Sequence, residues 1–191
     1  MEDALSAYPV VVESKAETSD AMVAEAAKTN PHAFGELYER YYARVYRYVY
    51  HRVGNTADAE DLTAVVFMKA LEALHSYRCT SSGFAPWIFR ITHNAVVDHY
   101  RRSRKHQTLD DIPHEAPTGD PVSDLLRTER RDELQSLLKH LSSDQRDVVL
   151  MRYAADLSFP EIAATMNKNE AAVRMLLHRG LRKMKAVMDD E

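Results

Sequence analysis

The chain has 191 residues, of which 45% are hydrophobic and only 5 are glycine, so it can build one large or two small cores and is not disordered throughout. The single cysteine, Cys79, excludes a disulfide framework and a four-cysteine zinc site. No apolar run approaches the roughly 18 residues of a membrane span, and residues 1–12 lack the features of a secretory signal. We therefore expect an all-α, soluble, cytoplasmic protein without membrane insertion.

The net charge of −4 is unevenly distributed along the chain. Residues 80–105 and 169–185 each hold five lysines and arginines against one acid. Residues 1–30 carry six acids and two bases, and residues 106–124 carry five acids and no lysine or arginine. Because a local basic patch attracts phosphate whatever the global sum is, the two basic segments are candidate nucleic-acid surfaces.

The N-terminal elements are predicted from helix-end signals. Residues 1–18 are acidic and aperiodic, which predicts a disordered tail, and a short helix is expected from Ser19 or Asp20 to about Lys28. A long helix follows, capped by Asn30 with Pro31 at its first position and ended by Gly54. Its apolar stripe has helical period and comprises Phe34, Leu37, Tyr38, Tyr41, Val45, Tyr48, Val49 and Val53.

Two further helices complete the first half. One starts at Asn55 or Thr56, with acids in its first turn, where they complement the helix dipole; its stripe is Leu62, Val66, Ala70 and Leu74. A polar loop is expected between Tyr77 and Pro86. The third long helix runs from about Pro86 to Arg104 and ends in a basic tail.

Residues 106–122 are predicted to be a linker, because three prolines, a glycine and several acids interrupt the helical period. The expected domains are therefore residues 19–105 and 123–191. The second begins with a leucine-rich helix that starts near residues 120–123 and carries Leu125, Leu126, Leu134, Leu137, Leu138 and Leu141. Two capping boxes follow, Ser142 with Gln145 and Ser158 with Glu161.

The segment from Ser158 to Lys185 has the pattern of a helix-turn-helix: a short capped helix, a turn at 167–169 and a longer basic helix. Such a motif presents the N-terminal part of its second helix to base edges in the major groove. Asn167 occupies the turn position that favours a left-handed backbone, which asparagine tolerates. A plain helical hairpin with a solvated basic face remains the alternative interpretation.

The segment from Trp87 to Lys105 combines aromatic and basic residues, with Tyr77, Arg78 and Phe84 in the loop before it. Aromatic faces that stack on unpaired bases, with arginines on the phosphates, are typical of single-strand binding. The alternative is that Trp87 belongs to the core and that the terminal arginines complement the helix dipole.

Three sets of motifs in this chain carry a resemblance to a known family. They are residues 58–63 (DAEDLT) with 66–71 (VFMKAL), residues 87–98 (WIFRITHNAVVD) with 100–102 (YRR), and residues 141–146 (LSSDQR) with 157–163 (LSFPEIA) and 173–179 (VRMLLHR). Together they resemble the extracytoplasmic-function (ECF) subfamily of sigma-70 RNA polymerase sigma factors. The resemblance covers roughly residues 20–187 and implies a region 2 bundle (19–105), a linker (106–122) and a region 4 helix-turn-helix (123–191).

The resemblance implies three functional surfaces. The polymerase-binding set, which would meet the large-subunit clamp, is Asp58, Glu60, Asp61, Leu62, Thr63 and Phe67. The set for the minus-ten element, whose flipped bases it would capture, is Tyr77, Arg78, Phe84, Trp87, Arg90, Asn94, Arg101, Arg102, Arg104 and Lys105. The set for the minus-thirty-five element is Ser158, Glu170, Ala171, Ala172, Arg174, Met175, His178, Arg179 and Arg182.

The implied partners are core RNA polymerase (clamp and flap), promoter DNA and an anti-sigma factor that holds the two domains together. This chain departs from the family pattern at Ala64, where glutamine is usual, at Leu176, where a basic or polar residue is common, and at Ala171–Ala172, which replace a small polar pair. Alanine contacts a thymine methyl group but cannot donate to a base. No further C-terminal regulatory domain is expected after Glu191.

Two other functions stay open at this point: a stand-alone helix-turn-helix regulator, and a protein-interaction module whose basic helices meet an acidic partner. No phosphate loop, nucleophile elbow or HExxH helix is present, so we expect no enzyme, cofactor, metal or small-molecule substrate. His75 and Cys79 lie four residues apart, but no further ligands lie near them in the sequence to complete a closed zinc site.

Overall fold

The structure is a computed structural model that describes residues 15–79, 82–106 and 133–189, and within these ranges it is helical and contains no strand. The expected all-α fold is confirmed. An N-terminal bundle comprises α1 (Lys15–Ala27), α2 (Pro31–Val53), α3 (Thr56–Ala73), a short 3₁₀ turn (Leu74–Ser76) and α4 (Ala85–His106). A C-terminal bundle comprises α5 (residues 133–139), α6 (Ser143–Tyr153), α7 (Phe159–Met166) and α8 (Glu170–Asp189).

The predicted ends of α2 and the start of α3 are confirmed by their caps. The Asn30 side chain accepts a hydrogen bond from the His32 amide at 3.1 Å, and Pro31 is the first residue of α2. Gly54 ends α2 with φ of 86°, and its N–H donates to the Tyr50 carbonyl at 2.8 Å. Asn55 then caps α3 by accepting from the Asp58 amide at 2.8 Å.

The C-terminal bundle is organised by the predicted local motifs. Both capping boxes are present, with the Ser142 and Ser158 hydroxyls accepting from the amides of Gln145 and Glu161. Asn167 ends α7 with φ of 52°, the left-handed conformation expected of it. The helix-turn-helix geometry of α7 and α8 is therefore confirmed.

The structure corrects the predicted start of α1 and leaves the predictions for three other segments untested. The helix begins at Lys15, inside the segment expected to be a disordered tail. It is stabilised by packing on α2, where the Tyr41 hydroxyl donates to Asp20 at 2.6 Å and Ala24 is fully buried. Residues 1–14, the linker after His106, and Leu125 and Leu126 lie outside the described residues.

The two bundles pack against each other, with α4 against α7 and α2 against α6. Buried apolar side chains from both form one cluster, and its largest fully buried members include Leu37, Tyr48, Ile88, Phe89, Leu138, Met151, Leu157 and Ile162. In α8, Gly180 permits close approach to α6, because a Cβ there would lie 3.3 Å from Val149 Cγ2. The packing places α4 and the outer faces of α3 and α8 in fixed positions.

Two glycines of the N-terminal bundle give opposite expectations for stability. Gly54→Ala should destabilise the protein by about 1 kcal/mol, because an L-residue in the left-handed region is strained. Gly35→Ala, in the interior of α2 where an added Cβ meets nothing within 4 Å, should stabilise it by about 0.5–1 kcal/mol. Urea unfolding of both variants measures the difference, and equal effects at the two positions would contradict this account.

Candidate functional site

Helix α3 separates the residues expected to bind polymerase into two groups. Leu62, Thr63 and Phe67 are buried, with relative exposures of 8%, 0% and 5%. Their assignment as direct polymerase contacts is wrong in this structure, because the helical period places their side chains in the core. Glu60 and Asp61 are exposed and Asp58 is half-buried, so the three carboxylates remain at the surface.

An apolar patch on the outer face of α3 was missed by sequence reasoning. Val65, Met68 and Leu71 are 36%, 61% and 46% exposed, and Tyr38 and Tyr42 of α2 are exposed beside Phe67. Residues 61, 65 and 68 lie at four- and three-residue spacing, so this face was readable from helical periodicity. Exposed apolar side chains beside acids mark a protein-binding surface.

The aromatic loop before α4 differs from its prediction. Tyr77 and Phe84 are 1% and 2% exposed, and their ring centroids are 5.4 Å apart in an edge-to-face contact. Trp87 packs edge-to-face on Tyr77 at 5.2 Å and is half-buried. Burial raises the pKa of Tyr77 to about 12. Neither Tyr77 nor Phe84 presents a ring to a base here, because mutual packing of these rings stabilises the bundle instead.

The polar residues expected to contact the minus-ten element are at the surface. Arg78, Arg90, Asn94, Arg101 and Arg102 are all exposed. Arg90, Asn94 and Arg101 share one side of α4, at spacings of four and seven residues. Arg104 and Lys105 lie in the last turns of α4, but their side chains are outside the described part of the structure.

Arg102 also faces an acidic groove between α3 and α4. The groove is lined by Asp58, Asp61, Asp98, His99 and Arg102, among others. His99 Nε2 lies 3.8 Å from Asp58 Oδ2. The acids of α3 and the basic end of α4 therefore adjoin each other.

Helix α8 has a buried face and an outward face. Val173, Leu177 and Gly180 are buried. Among the expected minus-thirty-five residues, Glu170, Ala171, Arg174, Met175, His178, Arg179 and Arg182 are exposed and Ala172 is half-buried. Ala171, Met175, His178 and Arg182 follow at four-, three- and four-residue spacing, so they form a single ridge.

A cation–π contact joins the start of α8 to α7. The Arg174 guanidinium lies 3.9 Å from the Phe159 ring centroid and 3.4 Å from the Glu170 carboxylate. The Ser158 hydroxyl caps α7 by accepting from the Glu161 amide, so in this structure Ser158 supports the helix-turn-helix locally. This geometry presents the ridge of α8 on a rigid frame.

Family comparison matches both bundles. The profile of sigma-70 region 2 matches residues 37–106, and that of sigma-70 region 4 matches residues 131–184. The chain is 31% identical over 157 residues to RNA polymerase sigma factor YlaC of Bacillus subtilis, covering 80% of this chain and 90% of YlaC. The chain belongs to the sigma-70 family, in its ECF subfamily.

Two other relatives complete the comparison of this sigma factor. It is 33% identical over 162 residues to ECF RNA polymerase sigma factor BldN of Streptomyces coelicolor, covering 83% of this chain and 61% of BldN. The solved structure of CnrH, in complex with the cytosolic domain of CnrY, is 24% identical, with a TM-score of 0.71 over 91% of this chain and 99% of that one. The CnrH likeness shows a shared fold.

A buried carboxylate joins the two bundles of the sigma factor. Asp147 of α6 is fully buried and accepts a hydrogen bond from the Tyr48 hydroxyl at 2.7 Å. Arg52 Nε lies 3.3 Å from Asp147 Oδ1, and His93 Nδ1 lies 3.6 Å from Asp147 Oδ2. A cation and two polar groups of α2 and α4 thus surround one acid of α6.

Peripheral arginines extend this contact between the bundles. Arg44 donates to the Ala155 carbonyl at 2.7 Å and to the Asp156 carbonyl at 3.1 Å, and Arg47 pairs with the Asp156 carboxylate at 2.9 Å. Arg90 donates to the Ala164 carbonyl, near the end of α7, at 2.6 Å. An expected minus-ten residue is therefore engaged by the C-terminal bundle.

No helix among the described residues is both long and apolar enough to cross a bilayer. Across residues 15–79, 82–106 and 133–189, no group of three His, Cys, Asp or Glu side chains is placed to hold a metal ion.

Neutralising the buried carboxylate should favour separation of the bundles. Asp147→Asn leaves Arg52 buried opposite a neutral group. This change should destabilise the arrangement in which the two bundles are packed together, the closed arrangement, by about 3 kcal/mol. X-ray scattering should show a larger radius of gyration.

The matched control is Asp144→Asn on the same helix, because Asp144 makes a half-exposed pair with Lys168 at 3.1 Å. That change should cost about 0.5 kcal/mol or less and leave the radius unchanged. The same radius in both variants would show that Asp147 does not hold the bundles together.

Proposed function

We propose that this sigma factor binds core RNA polymerase in the cytoplasm and directs it to promoters by contacting the minus-ten and minus-thirty-five elements. The observation that carries the proposal is the presence of three distinct exposed surfaces. These are the acidic and apolar face of α3, the basic side of α4 and the outward ridge of α8. In this role residues 19–105 act as region 2, 106–122 as linker and 123–191 as region 4, and polymerase carries out the chemistry.

The face of α3 is the proposed polymerase contact. Glu60 and Asp61 offer negative charge to a basic partner. Val65, Met68 and Leu71 offer an apolar surface along one side of the helix. Charge steers such an encounter, and burial of a large side chain such as Met68 stabilises the bound state. The clamp of the large subunit is the proposed partner of this face, and the flap is the proposed partner of region 4.

The basic side of α4 is the proposed minus-ten surface. Arg78, Arg90, Arg101 and Arg102 supply cations for phosphates, and Asn94 supplies an amide. Trp87, half-buried at the start of α4, is the aromatic residue of the set that retains exposed area for a flipped base. The buried Tyr77 and Phe84 are not part of this proposed contact.

The ridge of α8 is the proposed minus-thirty-five surface. A helix-turn-helix inserts its second helix into the major groove, where the Ala171 methyl group suits a thymine and His178 and Arg182 donate to bases or phosphates. Arg174 and Arg179 flank the ridge and suit phosphate contacts.

The closed arrangement supports a proposed inhibitory partner. Contact of Arg90 with Ala164 and packing of α7 on α4 cover part of the proposed minus-ten surface. A protein that binds both bundles together, an anti-sigma factor, would hold this state. Affinity capture of the tagged chain from its native host tests this proposal, and recovery with polymerase subunits alone under every growth condition would count against it.

The test of the polymerase contact is run-off transcription with purified core polymerase on genomic fragments. The full chain should yield promoter-specific transcripts. Met68→Arg should weaken holoenzyme formation about ten-fold, because a charge replaces the most exposed apolar side chain of the α3 patch. Neutralising Asp58, Glu60 and Asp61 together should slow association, most strongly at low salt.

Met22→Arg is the control for this experiment, because Met22 is 69% exposed but lies on α1, away from the α3 patch. It should leave holoenzyme formation within two-fold of wild type. Absence of promoter-specific transcripts with the wild-type chain would refute the proposed function and favour a stand-alone regulator.

Two adjacent basic residues of α8 test the minus-thirty-five surface. Arg182→Ala should lower the affinity of the holoenzyme for promoter DNA about ten-fold, since Arg182 lies on the outward ridge. Lys183→Ala, equally exposed but turned about 100° around the helix, should change it less than two-fold. Filter binding at several salt concentrations compares the two variants. Equal losses of affinity would contradict the assignment of the ridge as the surface that contacts the minus-thirty-five element.

A further inference from the structure

A cavity of about 550 Å³ lies between the two bundles, at a distance from the ridge of α8. Its lining comprises Arg52 of α2, Val97, Tyr100 and Arg101 of α4, and Ser143 and Arg146 of α6. Three of these described lining residues are arginines and none is an acid. The volume falls in the range of small-molecule sites and far exceeds what one phosphate group fills.

Arg52 is buried in the wall of this cavity, and its N–H donors are not all used in hydrogen bonds. Its side chain is 4% exposed, and its Nε faces Asp147 at 3.3 Å without making a hydrogen bond. In the part of the chain that the structure describes, its interactions are this ion pair and a contact with the Tyr100 ring at 5.5 Å. A guanidinium has five N–H donors, and leaving buried donors unsatisfied is costly.

The other two arginines add positive charge around the same space. Arg146 donates to the Leu138 carbonyl at 2.9 Å, and its pKa is lowered, chiefly by burial and then by the nearby charge of Arg52. Arg101 is exposed and pairs with Asp98 at 3.0 Å. With Asp147 and Asp98 as the neighbouring acids, three guanidinium groups are offset by two carboxylates.

Helix α6 contributes a further electrostatic element. Ser143, its first residue, lines the cavity, so the N-terminal end of an 11-residue helix forms part of the wall. Helix N-termini favour negative charge, and here that effect adds to the three guanidinium groups.

We propose that this cavity binds a small phosphorylated metabolite, of nucleotide size or less, whose phosphate groups lie among Arg52, Arg101 and Arg146. Guanidinium groups match phosphate oxygens in a two-pronged geometry, and Arg52 has N–H donors besides the Nε that faces Asp147. The remaining volume, beside Val97 and Tyr100, accommodates the rest of the ligand.

Such a ligand bridges the bundles, because Arg52 and Arg101 belong to the N-terminal bundle while Ser143 and Arg146 belong to the C-terminal one. The complete site exists only while the bundles are packed together. A ligand that binds only the closed state shifts the equilibrium toward it. The metabolite therefore acts as a small-molecule inhibitor of opening. Binding to the free chain is independent of the proposed role in transcription.

Isothermal titration of the purified full chain with pyrophosphate and with ADP, at physiological salt, tests the site. We expect one-to-one binding of at least one of these probes with Kd below about 1 mM. Arg101→Ala should weaken binding about ten-fold through loss of a charged hydrogen-bond donor. Arg102→Ala, the next residue on α4 and also exposed, does not line the cavity and should change the affinity less than two-fold.

A second pair of variants introduces a negatively charged side chain on α4 instead of removing a positive charge. Val97→Glu places a carboxylate in the cavity and should abolish binding, whereas Asn94→Glu, one turn earlier on α4 and outside the lining, should preserve it. The proposal is overturned if neither probe binds saturably. It is also overturned if the members of each pair lose affinity equally, which would indicate only non-specific attraction of anions. If the chain supports normal transcription but binds neither probe, the metabolite site is refuted and the proposed function stands.

Discussion

The arrangement of the two bundles depends on one buried carboxylate. Asp147 is fully buried and surrounded by the Tyr48 hydroxyl, Arg52 and His93 from the opposite bundle. Burying a carboxylate costs several kcal/mol unless well-placed partners compensate for it. Apart from the Ser143 hydroxyl of its own helix, at 3.5 Å, the partners of Asp147 come from α2 and α4. The contact therefore favours one docking position, because sliding by a single helical turn would separate Asp147 from Tyr48, Arg52 and His93. The surfaces that α4 and α8 present follow from this position.

Most of the fold was predictable because its signals are local. Asn30, Gly54, Ser142 and Asn167 act within four residues of themselves, through a cap or a left-handed backbone, so the sequence alone carries the information. The docking of the bundles was not predictable in this way. Tyr48 and Asp147 are separated by 99 positions, and nothing near either residue specifies the other. The helical start at Lys15 was likewise not predicted from the sequence.

The kinds of functional surface were predicted from the sequence better than the individual residues that form them. Motif resemblance marks positions in the chain without distinguishing those that face solvent from those that support them, which is why Phe67, Tyr77 and Phe84 were expected at interfaces and lie in the core. Helical periodicity supplies the missing distinction, and it identifies Met68 instead of Phe67 on the outer face of α3. On α8 the expected residues lie at or near the surface, because Val173, Leu177 and Gly180 form its buried side.

The closed arrangement treats the two proposed DNA surfaces differently. Arg90 of α4 donates to the Ala164 carbonyl, whereas the residues of the α8 ridge are exposed. The Arg90 Nη2 that donates to α7 does not bind DNA at the same time, so under the proposed assignment contact of this group with the minus-ten element competes with its contribution to docking. Binding at α8 carries no such cost. Under the proposed assignment of Arg90, contact with the minus-ten element favours opening, and stronger contacts between α2, α4 and α6 raise the free energy needed to separate the bundles.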